Sequence, residues 1–150
     1  MAGARVTISI EIPATPDIVW AELEKVEEHV EWMADAVAIT FDTEQRRGVG
    51  TSFACKTKIG PLTTTDHMTI IEWEDGVLMG VTHRGAVTGT GRFSLEASGS
   101  AATTVTWNEQ LEFPWWMGGV IGGKVAAPIF RWIWNRNLSR LNDRVMRARP

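Results

Sequence analysis

Polar and apolar residues alternate with a period of two through much of the chain before Phe113, and the period then lengthens to that of a helix. Between Arg5 and Ile12, Val6, Ile8, Ile10 and Ile12 share one side while Thr7, Ser9 and Glu11 share the other, which predicts a half-buried strand. Thr15-Pro16-Asp17 then predicts a helix start, with Thr15 as N-cap, Pro16 at the first helical position and Asp17 at the positive end of the dipole. Val19, Leu23, Val26 and Val30 recur at helical spacing, and Glu27 to Met33 is expected to form a second short helix after a bend. A short strand at Ala36–Phe41 and a turn at Glu44–Gly48 follow. Further strands are predicted at about Thr51–Ile59, Leu62–Glu74, Val77–Arg84, Thr88–Ala97 and Thr103–Phe113. Gly60-Pro61, Asp75-Gly76, Gly85-Ala86 and Ser98-Gly99-Ser100 separate them, and connections this short imply antiparallel neighbours.

From Trp115 to Pro150 the chain reads as one long helical segment. Phe130, Trp134, Leu138, Leu141 and Val145 form one stripe, with Arg136, Arg140 and Arg147 opposite and Arg144 nearby. The leucine stripe is expected to grip the sheet. Ile121, Val125, Ile129, Trp132 and Ile133 line up with the arginine side, and Pro128 between the halves removes the hydrogen bond to Lys124. Two arrangements satisfy this pattern. In one the helix bends at Pro128 and turns its first half towards the sheet. In the other an apolar Trp/Ile surface lies outside, as a homodimer contact, a peripheral membrane contact or a regulatory interaction surface. A single helix after antiparallel strands packs on the concave face of a curved sheet and does not fill it, so a gap for a ligand is expected.

Several stretches together resemble the START-like superfamily (SRPBCC), which includes the birch pollen allergen and polyketide cyclase/dehydrase-like proteins. Ile10-Glu11-Ile12-Pro13-Ala14-Thr15-Pro16-Asp17-Ile18-Val19-Trp20 is similar to the family's first strand and helix. Glu31-Trp32-Met33 with Val37, Gly48-Val49-Gly50-Thr51-Ser52-Phe53, Ile70-Ile71-Glu72-Trp73-Glu74-Asp75-Gly76, and Leu138 with Leu141 follow in the family's order. The resemblance covers residues 1–150 and implies one α+β domain of helix-grip type. In that fold a seven-stranded antiparallel curved sheet wraps around a long C-terminal helix, with two short helices after the first strand. It also implies a hydrophobic cavity between sheet and helix. It does not imply one activity, because the family includes carriers, cyclases, hydroxylase domains and regulators.

Strand alternation proposes the lining of that cavity. With Asp75-Gly76 as a two-residue loop, Glu74 pairs with Val77, Glu72 with Met79, Ile70 with Val81 and Met68 with His83. Met68, Ile70, Met79, Val81 and His83 then point inward, and Ile71, Trp73 and Leu78 outward. In the last hairpin, a register opposing Phe93 and Val105 also opposes Gly91 to Trp107 and Gly89 to Glu109, leaving room for the indole. Val105, Trp107, Glu109, Leu111 and Phe113 share that face, so Glu109 is a carboxylate among apolar residues. Glu109 and His83 are read either as polar anchors or an acid/base pair, or as a rim carboxylate and a solvated strand residue. Trp115, Trp116 and Met117 are placed at the cavity mouth, and Val125 and Ile129 at its wall.

Composition narrows the function classes. A net charge of −3 and a pI near 5.6 do not point to nucleic acid. The charge is uneven: ten of the eighteen acids lie between Glu11 and Glu44, while six of the fifteen basic residues lie between Arg131 and Arg149. An electrically bipolar molecule is expected. No run reaches the length of a membrane span, Met1-Ala2-Gly3-Ala4-Arg5-Val6 carries no apolar signal stretch, and a cytoplasmic location is the expectation. Asn137-Leu138-Ser139 matches a glycosylation acceptor but falls inside the helix. Three scattered histidines and the single Cys55 lack metal-ligand spacing, and no cofactor motif is found. Gly85 to Gly91 lacks the helix and lysine of a phosphate loop, so strand curvature accounts for its glycines. The expected partner is a small hydrophobic or amphipathic molecule such as a lipid, isoprenoid or polyketide-like aromatic. A cyclase or dehydratase using a cavity acid/base such as Glu109 is the enzymatic alternative.

Overall fold

The computed structural model describes residues 3–148. Seven strands form one antiparallel sheet: β1 (Ala4–Ile12), β2 (Ala36–Phe41), β3 (Ser52–Ile59), β4 (Leu62–Glu74), β5 (Leu78–Arg84), β6 (Thr88–Ala97) and β7 (Thr103–Glu112). Their spatial order is β1-β7-β6-β5-β4-β3-β2, so every sequential pair after β2 is a hairpin and only β1 travels, to close against β7. Helix α1 (Pro16–Leu23) and a 3-10 helix (Val26–Glu31) link β1 to β2, and a 3-10 turn (Trp115–Met117) leads into α2 (Gly119–Ala148). The expected final helical residues Arg149 and Pro150 lie outside the described residues.

α2 lies chiefly against β1, with smaller contacts to β7 and α1. Trp134, Leu138, Leu141 and Val145 are buried, which places the leucine stripe on the sheet as its spacing predicts. A line of rings ties the two layers together. Phe113 meets Phe130 at 6.1 Å between centroids, Phe130 meets Trp134 at 4.9 Å, Trp134 stacks on Trp107 at 5.1 Å, and Trp107 meets Phe93 at 4.7 Å. Such pairs add about 0.5–1.5 kcal/mol each beyond the area they bury.

α2 is one continuous helix through Pro128, and its first half does not turn towards the cavity. The inward stripe simply continues in small residues. Gly123 sits so close to the Ala4 methyl and the Phe113 ring that a Cβ there would lie 3.2 and 3.1 Å from them. Ile121, Val125, Ile129 and Trp132 are left on the solvent side.

Polar bonds fix the far end of the helix. Asn137 is fully buried. Its Nδ2 donates to Asp35 Oδ1 at 2.7 Å, and its Oδ1 accepts from the Ala34 amide at 3.0 Å, so the glycosylation-like asparagine is a structural latch. Arg144 bonds Glu22 at 3.0 Å and also Glu28. The expected charge separation is therefore partly cancelled inside the molecule, because a basic residue of α2 meets acids of the first helical segment. Thr15 occupies the N-cap position, but its hydroxyl donates to Asp17 instead of accepting a backbone amide.

His29 is buried, and its Nε2–H donates to the Leu23 carbonyl at 2.7 Å. Burial lowers its pKa from 6.5 to about 4. The unfolded chain takes up a proton below pH 6.5 that the folded chain refuses until about pH 4, so acid removes stability across that window. The full difference is on the order of 3 kcal/mol. Glutamine can make the same bond without titrating. The expected outcome is that His29→Gln flattens the fall in urea-unfolding free energy between these pH values; an unchanged slope would assign the acid sensitivity elsewhere.

Candidate functional site

Because α2 covers the β1/β7 end of the sheet, the concave face of β3 to β5 is left under a cavity of about 150 Å³. Its wall is mostly apolar: Phe53, Met68, Met79, Val81, Phe93 and Phe130 are representative. Trp107 and Trp134, from the line of rings, also border it, as do Met33 and Ile39. An apolar space of ~150 Å³ suffices to hold a guest the size of benzene.

Polar groups interrupt this wall, among them Asp35, His29 and Arg92, and on β4, β5 and β7 the cluster Asp66, His83 and Glu109. His83 Nε2 lies 3.0 Å from Glu109 Oε2, and Trp107 Nε1–H donates to Glu109 Oε1 at 2.9 Å. Both side chains of the His83–Glu109 pair are more than nine-tenths buried. Burial alone would lower the His83 pKa. The hydrogen bond that the ring donates to Glu109, the charge of Glu109 and that of Asp66 overcome this and hold the imidazole above its ordinary value. Asp66 is itself raised, first by burial and next by the charge of Glu109, while His83 pulls it down. Its Oδ1 is buried and has no hydrogen-bond partner among the described residues. The second ring nitrogen of His83 is likewise without a partner there.

Glycines make room for both acids. Gly91 on β6 faces Glu109 on β7, and a Cβ at Gly91 would lie 2.3 Å from Glu109 Oε1. Gly85, just beyond β5, would place a Cβ 2.5 Å from Asp66 Oδ1. The last hairpin is thus shifted by two residues from the expected register: Phe93 pairs with Trp107, Gly91 with Glu109 and Gly89 with Leu111. A slip of two keeps every side chain on its face, so Glu109 still points inward. The space opposite Gly91 belongs to a carboxylate and not to an indole.

The central hairpin departs in a second way. Asp75, Gly76 and Val77 form a three-residue loop with Gly76 at φ 78°, so Glu74 pairs with Leu78 and Trp73 with Met79. The expected Glu74–Val77 and Glu72–Met79 pairs do not form. A bulge at Ile71 takes up the difference and restores the Ile70–Val81 and Met68–His83 pairs. It also turns Trp73 back to the core side, where its ring meets Trp20 at 5.2 Å, while Ile71 stays exposed.

Met68, Met79, Val81, His83, Phe93, Trp107 and Glu109 border the cavity. Ile70 is fully buried but does not border it. Trp115, Trp116, Val125 and Ile129, expected at its mouth and wall, lie outside and exposed, because the Gly123 side of α2 faces inward in their place. Of the mouth group only Met117 borders the cavity. Asp66 was not among the expected residues, although the alternation that selects Met68 and Ile70 includes it. Cys55 also lines the space. Burial pushes its thiol up to about 11, so it is protonated and inert at neutral pH. Among the described residues, no three His, Cys, Asp or Glu converge to hold a metal ion.

No curated protein matches the sequence. Solved structures share the fold at low identity. A conserved protein from Geobacillus kaustophilus superposes with a TM-score of 0.80 at 12% identity, covering 96% of both chains. The Zhui aromatase/cyclase of a Streptomyces species gives 0.71 at 14%, covering 95% of this chain and 93% of that one. Norcoclaurine synthase from Thalictrum flavum, in complex with dopamine and hydroxybenzaldehyde, gives 0.73 at 13%, covering 99% and 90%. At these identities the likeness concerns the fold alone. The sequence itself matches a family model over residues 3–147, and on that match the chain belongs to the polyketide cyclase/dehydrase and lipid transport family.

Proposed function

We propose that this protein binds a small, largely apolar molecule carrying one hydrogen-bond donor, with its apolar body against Phe53, Met68, Met79 and Phe93 and its polar end at Asp66 and His83. The observation that carries this reading is the partnerless Oδ1 of Asp66 beside a satisfied His83–Glu109 pair, in a wall that is mostly apolar. A buried acceptor without a donor costs free energy, and a ligand hydroxyl recovers it. The volume favours a compact ring system over a long acyl chain.

The enzymatic reading uses the same atoms. An imidazole held above its ordinary pKa keeps its proton to higher pH than a free one and can donate it, and Glu109 orients the ring. Cyclisation or dehydration of a carbonyl compound needs such a donor in a dry, shaped space. The buried His83–Glu109 pair supports this second reading, and the family contains enzymes of that kind.

Calorimetric titration with 1-naphthol, an apolar bicycle with one hydroxyl, tests the binding reading. One saturable site is expected. Asp66→Ala should weaken 1-naphthol by about 1–2 kcal/mol while leaving naphthalene little changed, because only the hydroxyl loses a partner. Equal losses for both ligands would remove Asp66 from recognition. Absence of saturation, with no small molecule co-purifying in native mass spectrometry, would sink the proposal.

The paired groups give two further expectations. Since the folded pKa of His83 lies above its unfolded value of 6.5, the pair's stabilisation is complete below that pH and is lost as pH rises through the folded value. Glu109→Gln is expected to cost about 1–3 kcal/mol in urea unfolding at pH 6 and less at alkaline pH. Gly91→Ala changes neither partner but displaces the carboxylate. In an NMR titration it should move the His83 midpoint downward, and an unmoved midpoint would contradict the proposed geometry.

A further inference from the structure

The outer face of α2 carries a feature the cavity does not use. Ile121, Val125, Ile129 and Trp132 fall within about a quarter turn at 3.6 residues per turn. They are 75, 67, 51 and 60% exposed, and Trp115 and Trp116 just before the helix are 87 and 60% exposed. With Val120, seven exposed large apolar side chains lie within eighteen consecutive residues, 115–132, and are more than scattered surface hydrophobics. From Phe113 to Asn142 there is no acidic residue, whereas Lys124, Arg131, Arg136 and Arg140 are all exposed there. This local surplus sits on a chain whose net charge is −3. Arg136 lies over the Trp132 ring at 4.9 Å, so cation and aromatic are presented together.

We infer that this face docks onto an anionic lipid surface. Two physical arguments select that partner. Tryptophans and apolar side chains flanked by lysine and arginine match the boundary between acyl chains and charged headgroups. A second copy of the chain fits less well. A two-fold contact would set this face against itself, bringing its cations together with no acid on the face to offset them. Among the described residues no helix is long and apolar enough to cross a membrane, so α2 lies on the surface and does not span it. The position has a consequence. Met117, between Trp116 and the start of α2, borders the cavity, as do Phe113 and Phe130. A docked protein therefore sets this end of its cavity next to the lipid, while the inward stripe of α2 stays on the sheet.

Flotation of the whole chain with vesicles tests the inference. Binding is expected to vesicles of phosphatidylcholine mixed with phosphatidylglycerol, at least roughly tenfold stronger than to pure phosphatidylcholine, with a blue shift of tryptophan emission. Ile121→Glu and, separately, Trp115→Ser should each reduce partitioning several-fold. Both residues are exposed, so the thermal midpoint should stay unchanged and a lost signal would not reflect unfolding. Undiminished binding in both variants would overturn the assignment of this face, and absence of binding to either vesicle would overturn the lipid partner. A dimer of the wild-type chain in sedimentation, broken by Ile121→Glu, would also overturn it by showing that a second copy covers the face.

Discussion

The stacked rings between α2 and the sheet set how closely the two layers approach. Phe113, Phe130, Trp134, Trp107 and Phe93 form a line whose members cannot interpenetrate. The helix is held on the β1/β7 side by this line and by the Gly123–Ala4 contact, with Asn137 and Arg144 pinning its far half. What the helix does not cover becomes the cavity. The site is thus a result of where large rings prevent closer packing, and the chemistry inside it depends on that spacing.

Inside the cavity, burying polar groups is tolerated because most have partners. Glu109 takes a bond from Trp107 and pairs with His83, and its position exists only because Gly91 leaves the opposite strand empty. Asp66 repeats the device with Gly85, but one of its oxygens is left without a donor. A group so placed costs free energy in the empty protein and rewards a guest that can donate to it. The site and the outer face of α2 divide the labour of one helix. The inward side builds the wall, and the outward side presents exposed aromatic, aliphatic and basic groups.

Much of the architecture was legible from residue order alone. Period-two alternation locates the strands because successive side chains must point to opposite faces, and the leucine stripe of α2 identifies its gripping side for the analogous helical reason. The inward direction of Glu109 also follows from alternation, whereas the Met68–His83 pair holds only because the bulge at Ile71 offsets the longer loop. The orientation of the first half of α2 does not. Its inward residue Gly123 is small and gives no hydrophobic signal, whereas Ile121, Val125 and Ile129 give a strong one from the opposite side. Reading buried faces from large residues fails where close approach requires a small one.

By itself the sequence determined the elements, their antiparallel order and, away from the bulge at Ile71, which strand side chains share a face, since these follow from local periodicity and short connections. Only the tertiary structure decided register, and with it which glycine faces which carboxylate. A two-residue slip leaves the pattern of inward and outward positions unchanged, whereas the bulge at Ile71 reverses it locally and brings Trp73 inward. The meeting of His83 with Glu109 was decided at the same level. The two lie on strands separated by β6, and their contact depends on the curvature and the empty Gly91 position that bring β5 and β7 side chains together.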